Sequence, residues 1–377
     1  MKVADRVRQT PPSGIRKFFE LAEEADDVIS LGVGEPDFSA PWAAREAAID
    51  ALERGRTSYT ANRGRADLRR AIADHVARYD LDYEPEREVL VTAGASEAVD
   101  LSMRALVDPG DTVAVPQPSY ISYGPTATFA GADVLPVQTR AAEAFELTAD
   151  ALREAGAADA DVLLYCYPNN PTGAVMDADD LRPVAEFARE HDLTVLADEI
   201  YAALTYGGEH DSIATLPGMR ERTVVIGGFS KAYAMTGLRL GYALAPPEAI
   251  EAMNRIHQYT MLSAPTTAQF AGLEAIRACD DAVEEMRDAY DRRRRYTLSR
   301  FREIGLDCFE AEGAFYAFPE CPGDDEQFAE ELLSEEGVAV VPGSVFGEGG
   351  EGHLRISYAT GMDELREATA RIERFLD

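Results

Sequence analysis

The chain has 377 residues, 46 % of them hydrophobic and 28 % charged, with one Trp, 16 Tyr and 15 Phe. That length suits two domains and buries a core without disulfide or metal staples, and the balance excludes a disordered or collagen-like chain. Lys and Arg total 36 against 68 Asp and Glu, a net charge of −32, and so acidic a surface excludes nucleic acid as a partner.

Taken in chain order, the first twenty residues contain no apolar leader core, and no later stretch is apolar enough to span a bilayer. The expected protein is soluble and cytoplasmic, with no membrane partner. From about residue 41 to 280, apolar β-branched runs alternate with amphipathic helical stretches. Strands are predicted at Val89–Thr92, Thr112–Val115, Val162–Cys166, Thr194–Asp198, Thr223–Gly227 and Gly241–Ala245, with helices at Ser96–Val107, Asp177–Glu190 and Glu248–Tyr259. Short apolar strands separated by helices imply an α/β unit with a mainly parallel sheet covered on both faces. Beyond residue 281 the texture changes. A charged helix (Asp281–Ile304), short strands near Phe315–Phe318, Val338–Val341 and His353–Tyr358, and a terminal helix (Asp363–Phe375) predict a smaller α+β domain. The expected division is a large domain over 41–280 and a small domain built from 1–40 and 281–377.

Four of the predicted parallel strands deliver polar or Gly-rich residues just past their carboxyl ends. Val89–Thr92 runs into Ala93-Gly94-Ala95-Ser96-Glu97, and Val162–Cys166 into Tyr167-Pro168-Asn169-Asn170-Pro171-Thr172-Gly173. Thr194–Ala197 ends in Asp198-Glu199-Ile200-Tyr201, and Thr223–Ile226 in Gly227-Gly228-Phe229-Ser230-Lys231. Open α/β sheets bind ligands at that edge.

Lys231 stands out by arithmetic. The chain carries three lysines (Lys2, Lys17 and Lys231) against 33 arginines. A dispersed acidic excess with lysine nearly eliminated is the composition expected of a protein adapted to high salt, where ions screen its self-repulsion. A solubilising or ion-pairing lysine would tolerate replacement by Arg. A Schiff-base lysine would not, and apolar company lowers an amine toward its nucleophilic form. Arg239, eight residues on, suits a phosphate or a carboxylate. The Ala95 and Ser96 amides open a helix, where an anion binds or a tight turn simply closes. Asp198 reads as a helix N-cap or as the partner of a protonated heterocycle. Asn170 reads as turn chemistry or as a ligand contact. The four cysteines lack CxxC spacing and neighbouring His clusters, so no metal site is expected. No GxxxxGK[ST], HExxH or G-x-S-x-G occurs, and Gly32-Val33-Gly34 lacks the third Gly of a dinucleotide loop.

Taken together, these residues resemble the class I/II aminotransferases of pyridoxal-phosphate fold type I, the aspartate aminotransferase family. The likeness runs from Leu31-Gly-Val-Gly-Glu-Pro-Asp-Phe38 through Asn169–Gly173, Asp198-x-x-Tyr201 and Ser230-Lys231…Gly237-x-Arg239-x-Gly241 to Gly313-Ala-Phe-Tyr316 and Leu354-Arg-Ile-Ser-Tyr358. It implies a mainly parallel seven-stranded sheet in the large domain and a homodimer whose active sites lie between domains and draw on both subunits. It implies pyridoxal 5′-phosphate as cofactor, bound by Lys231, which then shuttles a proton between Cα and C4′. Asp198 would pair with the pyridinium nitrogen, and Tyr201 and Asn170 would hydrogen-bond the 3′ oxygen. Tyr120 would stack on the ring. Ala95, Ser96, Ser230 and Arg239 would hold the phosphate, with Tyr59 reaching in from the neighbouring subunit. Arg355 would clamp the substrate α-carboxylate, helped by Gly34 and Asn170.

The implied reaction is transamination of aspartate or an aromatic amino acid with 2-oxoglutarate. Alanine or branched-chain donors, a C–S lyase and a decarboxylase are the alternatives. An effector-sensing regulator would need a fused DNA-binding domain, and the likeness begins too near the N-terminus to leave room for one. Arg104 is a candidate for a distal carboxylate, although a surface Arg is the more ordinary reading.

Overall fold

The apolar runs between residues 89 and 244 assemble into a single sheet in the protein, whose structure is a computed structural model describing residues 1–18 and 27–377. Residues 19–26, part of the expected small domain, lie outside the described residues. Numbering the strands in chain order gives β1 (Ile29–Ser30), β2 (Val89–Thr92), β3 (Thr112–Gln117), β4 (Asp133–Gln138), β5 (Val162–Cys166), β6 (Thr194–Asp198), β7 (Thr223–Gly228) and β8 (Gly241–Leu244). Strands β2 to β8 form a seven-stranded sheet in the order β2-β8-β7-β6-β5-β3-β4. Only β8 runs antiparallel to its neighbours.

Alternate residues of the central strands enter separate cores. Val162, Leu164 and Cys166 of β5 join Leu196 of β6 in one, while Leu163 and Tyr165 join Val195 and Ala197 in another. A strand buried on both faces must be apolar at every position, which is why these runs lack polar alternation. β4 escapes the sequence pattern because it lies at the sheet edge, contains Pro136 and is largely not buried. The predicted helices appear as Ala95–Leu106, Ala178–Glu190 and Pro247–Thr260, the second opened by an Asp177 capping box.

Toward the C-terminus come the helix Asp280–Ile304, then β9 (Tyr316–Ala317), β10 (Val338–Ala339), β11 (Val341–Pro342), β12 (Leu354–Ser357) and the helix Met362–Leu376. The run predicted as one strand over 338–341 is two. β10 pairs in parallel with β1, whereas β11 pairs antiparallel with β12 in a second small sheet with β9. The partner changes across Val340, and periodicity carries no information about partners. The β1–β10 pairing ties the N-terminal segment to the C-terminal part of the chain.

The turn after β2 depends on one glycine in a neighbouring strand. Gly241 of β8 pairs with Thr92, and a Cβ on Gly241 would sit 2.5 Å from the Ala95 amide nitrogen and 2.5 Å from the Gly94 carbonyl carbon. Gly94 itself has φ +89, a conformation that favours glycine. Gly241→Ala must therefore move backbone, and it is expected to destabilise the fold by about 1–3 kcal/mol. A thermal unfolding midpoint equal to the wild type's would contradict this packing.

Candidate active site

One cavity of about 590 Å³ opens beyond the carboxyl ends of β2, β5, β6 and β7 and is closed by the Gly34 loop and Arg355 of β12. Its centre is Lys231. The Nζ donates to the Gly34 carbonyl at 2.5 Å and lies 5.6 Å from the Tyr201 ring and 5.5 Å from the Phe315 ring. Burial lowers its pKa to about 8, with Arg355 pushing the same way and Glu35 opposing.

Asp198, at the end of β6, is buried. Its Oδ2 accepts from the Tyr123 hydroxyl at 2.7 Å and its Oδ1 from the Ile200 amide at 3.2 Å. Burial raises its pKa to about 6 against those hydrogen bonds. Tyr201 is buried beside it, its hydroxyl 3.0 Å from that of Tyr316, and desolvation drives the Tyr201 phenol well above its usual range.

Asn170 is aimed by its neighbour. Asn169 Oδ1 accepts from the Thr172 amide at 3.1 Å and the Thr172 hydroxyl at 3.0 Å, while the Asn169 carbonyl accepts from the Gly173 amide at 2.9 Å. That closed turn leaves Asn170 facing the cavity, where its Oδ1 accepts from Arg355 Nη1 at 3.1 Å. Arg355 Nη2 donates to the Gly32 carbonyl at 2.5 Å, and its buried Nε has no partner among the described residues. Desolvation lowers the guanidinium's pKa from its usual value.

At the other end of the cavity Ala95 and Ser96 open their helix. Arg239 packs so close that a Cβ on Gly94 would lie 2.7 Å from its Nη2. Arg239 has φ +54, and its Nη1 donates to the Thr236 carbonyl at 2.8 Å. Ser230 and Tyr120 line the same cavity, Tyr120 edge-on to Tyr123 at 5.6 Å. The structure thus brings eleven of the twelve predicted site residues together. Tyr59 is the exception: it is 77 % exposed and outside its own chain's cavity. Arg104 also stays away, ion-paired at 3.2 Å with Asp100 one helical turn back.

Sequence reasoning missed Tyr123, which sits three residues after Tyr120 but on a helix, Tyr123–Ala130, whose apolar composition reads as core. It also gave no role to Glu35, which lines the cavity and accepts from the Thr236 hydroxyl at 3.1 Å.

The expected cofactor fits these residues. A buried carboxylate that meets only neutral donors suits a protonated ring nitrogen, and two helix-opening amides beside an arginine suit a phosphate. Lys231 is the amine for a carbonyl carbon, and the Arg355 guanidinium, whose hydrogen bonds go to neutral oxygens, suits a carboxylate. As the pH rises through about 8, the Lys231 amine loses its proton, whereas a hydrogen bond to Glu330 raises the pKa of exposed Lys17. In cofactor-free protein, reductive methylation at pH 8 is expected to modify Lys231 ahead of Lys17. Peptide mapping that finds equal labelling, or Lys17 first, would contradict this ordering.

The family model described as aminotransferase class I and II matches residues 26–372. The chain is 52 % identical to the YugH protein of Bacillus subtilis (strain 168) over 378 residues, 99 % of this chain and 98 % of that one. It is 42 % identical to an aspartate aminotransferase of Pyrococcus abyssi, covering 100 % of this chain and 98 % of the relative. The crystal structure of an aromatic aminotransferase from Pyrococcus horikoshii superposes with a TM-score of 0.91 at 41 % identity, covering 95 % of this chain and 98 % of that one. With this fold and these matches, the chain belongs to the class I and II aminotransferases, fold-type-I enzymes that use pyridoxal 5′-phosphate to move the amino group of an amino acid.

Proposed function

We propose that this aminotransferase takes aspartate or an aromatic amino acid as donor and 2-oxoglutarate as acceptor, in an active site built from the residues named above. The observation that carries the reading is the opening of the Lys231 amine, the Asp198 carboxylate and the Arg355 guanidinium onto one cavity. The two relatives named for aspartate and aromatic donors support the donor class. Pyridoxal 5′-phosphate, when bound, supplies a sink for the electron pair left when the donor's α-carbon loses its proton.

This chain's residues do the rest. Lys231 would hold the cofactor and, once released, would be the group that takes up the proton lost by the donor's α-carbon. Burial, which lowers the pKa of the Lys231 amine to about 8 in the chain alone, makes it a readier base at neutral pH than an exposed lysine. Asp198 keeps the ring nitrogen's proton in place, with Tyr123 fixing the carboxylate. Asn170 has given its oxygen to Arg355, so its amide N–H donates, with the Tyr201 hydroxyl, to the 3′ oxygen. Tyr120 stacks on the ring. The Ala95 and Ser96 amides, Ser230 and Arg239 hold the phosphate. Arg355 grips the α-carboxylate beside Gly34, its Nη1 and Nη2 each keeping a second N–H beyond those given to Asn170 and Gly32.

We assign residues 41–280 to the large cofactor-binding domain, and 1–40 with 281–377 to the small one. The seven-stranded sheet lies inside the first span, and the β1–β10 pairing joins the two parts of the second. A homodimer is the working unit. Tyr59, Tyr259 (85 % exposed) and Trp42 (60 %) leave aromatic surface uncovered. Asn62 Nδ2 donates to the Leu262 carbonyl at 2.6 Å, so the two tyrosine-bearing segments run side by side. Buried Gln269 pins the loop that presents Tyr59, accepting from the Arg65 amide at 2.8 Å and donating to the Thr60 hydroxyl at 2.9 Å. Tyr59 is thereby held out toward a neighbouring subunit's phosphate.

Among the described residues no helix is long and apolar enough to cross a membrane, which fits a cytoplasmic enzyme. The −32 charge fits a salt-rich interior without polyanionic partners.

The test is glutamate formation from 2-oxoglutarate with L-aspartate, L-tyrosine or L-alanine in turn, in concentrated and in dilute salt. Aspartate or tyrosine is expected to lead, with activity falling as salt is removed; alanine leading, or full stability without salt, would contradict the donor or the habitat. Arg355→Lys is expected to lower kcat/KM about 10- to 100-fold for every donor alike, because a point charge replaces a fork. A loss confined to aspartate would place the distal carboxylate, rather than the α-carboxylate, on Arg355.

A further inference from the structure

The turn that receives the phosphate carries an acid. Glu97 lies in the first turn of the Ala95–Leu106 helix, where a carboxylate competes with an incoming anion for the same amides. The structure shows where that carboxylate is committed. One oxygen accepts from the backbone amide of Ala93, two residues before the helix opens, and Oε1 lies 2.8 Å from His257 Nδ1. His257 comes from a different helix, Pro247–Thr260, and is completely buried. Where the Glu97 oxygen accepts, Nδ1 is the donor of this hydrogen bond.

The turn's other polar groups divide between those already bonded and two free amides. The Gly94 carbonyl accepts from the Thr92 hydroxyl at 2.9 Å and from the Glu97 amide at 3.1 Å. With Ala93 N–H taken by Glu97, the Ala95 and Ser96 amides have no acceptor among the described residues. Loss of the Glu97 contact would free Ala93 N–H and leave Gly94, already at φ +89, free to rotate those two amides out of register.

We propose that Glu97 and His257 form a positioning pair that shapes the Ala93–Ser96 turn for a phosphate, Glu97 holding the Ala93 amide and His257 holding Glu97 away from the anion. The pair touches neither substrate nor cofactor. It rests on the reading that Ala95 and Ser96 receive the cofactor's phosphate.

The test separates phosphate recognition from general stability. Cofactor-free full-length protein is titrated with pyridoxal 5′-phosphate and with pyridoxal, which keeps the aldehyde but lacks the phosphate, and the ratio of the two Kd values is the readout. Glu97→Ala is expected to weaken pyridoxal 5′-phosphate binding about tenfold or more, as for a lost hydrogen bond to a charged group, with pyridoxal changing less than about twofold. Glu97→Gln keeps an oxygen for the Ala93 amide and is expected to restore most of the ratio. If Glu97→Ala does not fold, His257→Asn serves in its place, with a loss of at least about threefold in the same ratio expected. A folded variant of either kind with the wild-type ratio, or with equal losses for both compounds, overturns the pair. A wild type that binds the two compounds equally would instead overturn the phosphate site itself.

Discussion

Bringing the Lys231 ammonium, the Asp198 carboxylate and the Arg355 guanidinium into one small cavity removes three charges from water, and among the described residues no close ion pair offsets the cost. Desolvation is accordingly the largest influence on all three, lowering the amine to about 8, raising the carboxylate to about 6 and lowering the guanidinium. Each group takes only neutral partners: a carbonyl for Lys231, a phenol and an amide for Asp198, a carbonyl and an amide oxygen for Arg355. A site left with two unpaired cations and one anion is prepared for ligands of complementary charge. A bound cofactor and amino acid would bring a ring N–H for Asp198, a carbonyl carbon for the Lys231 amine and a carboxylate for Arg355.

Such a cavity needs a rigid frame, and the seven-stranded sheet supplies it. Strands apolar at every buried position cannot slip by one residue without moving core side chains, so their carboxyl ends deliver Asn170, Asp198 and Lys231 at fixed spacing. Small residues then let backbones close in. Gly241 lets the phosphate turn lie against β8, and Gly173 lets the asparagine turn approach the Tyr316 carbonyl, which a Cβ would meet at 2.6 Å. The exterior obeys another constraint. Its net charge of −32 repels itself, and Tyr59 and Tyr259 leave aromatic surface exposed on this chain.

Much of this is legible in the sequence itself. Lys231 is conspicuous because arginine replaces lysine nearly everywhere else, and Asp198 and Asn170 because each follows a wholly apolar strand. What stayed hidden depends on contacts that spacing does not encode. β4 is an edge strand with a proline, so its burial signal is weak, and the 338–342 run divides because its two halves find different partners. Tyr123 looks like core until its hydroxyl is seen on Asp198, and Glu97 looks like an ordinary first-turn acid until His257 arrives from 160 residues away. Arg104 shows the converse: a plausible cation in sequence, it is satisfied by Asp100 on its own helix.

The claim on which all of this turns is that the Lys231 amine moves the proton rather than merely anchoring the cofactor. The most direct measurement is a single-turnover reaction of Lys231→Ala loaded with pyridoxal 5′-phosphate, mixed with L-aspartate or L-tyrosine and followed by loss of the α-hydrogen into solvent. The account predicts that the variant still binds cofactor through the Ala95–Ser96 amides and Arg239, while α-hydrogen exchange falls by about 10³-fold, as removal of a general base requires. Exchange at the wild-type rate would contradict it and assign the base to another residue of the cavity.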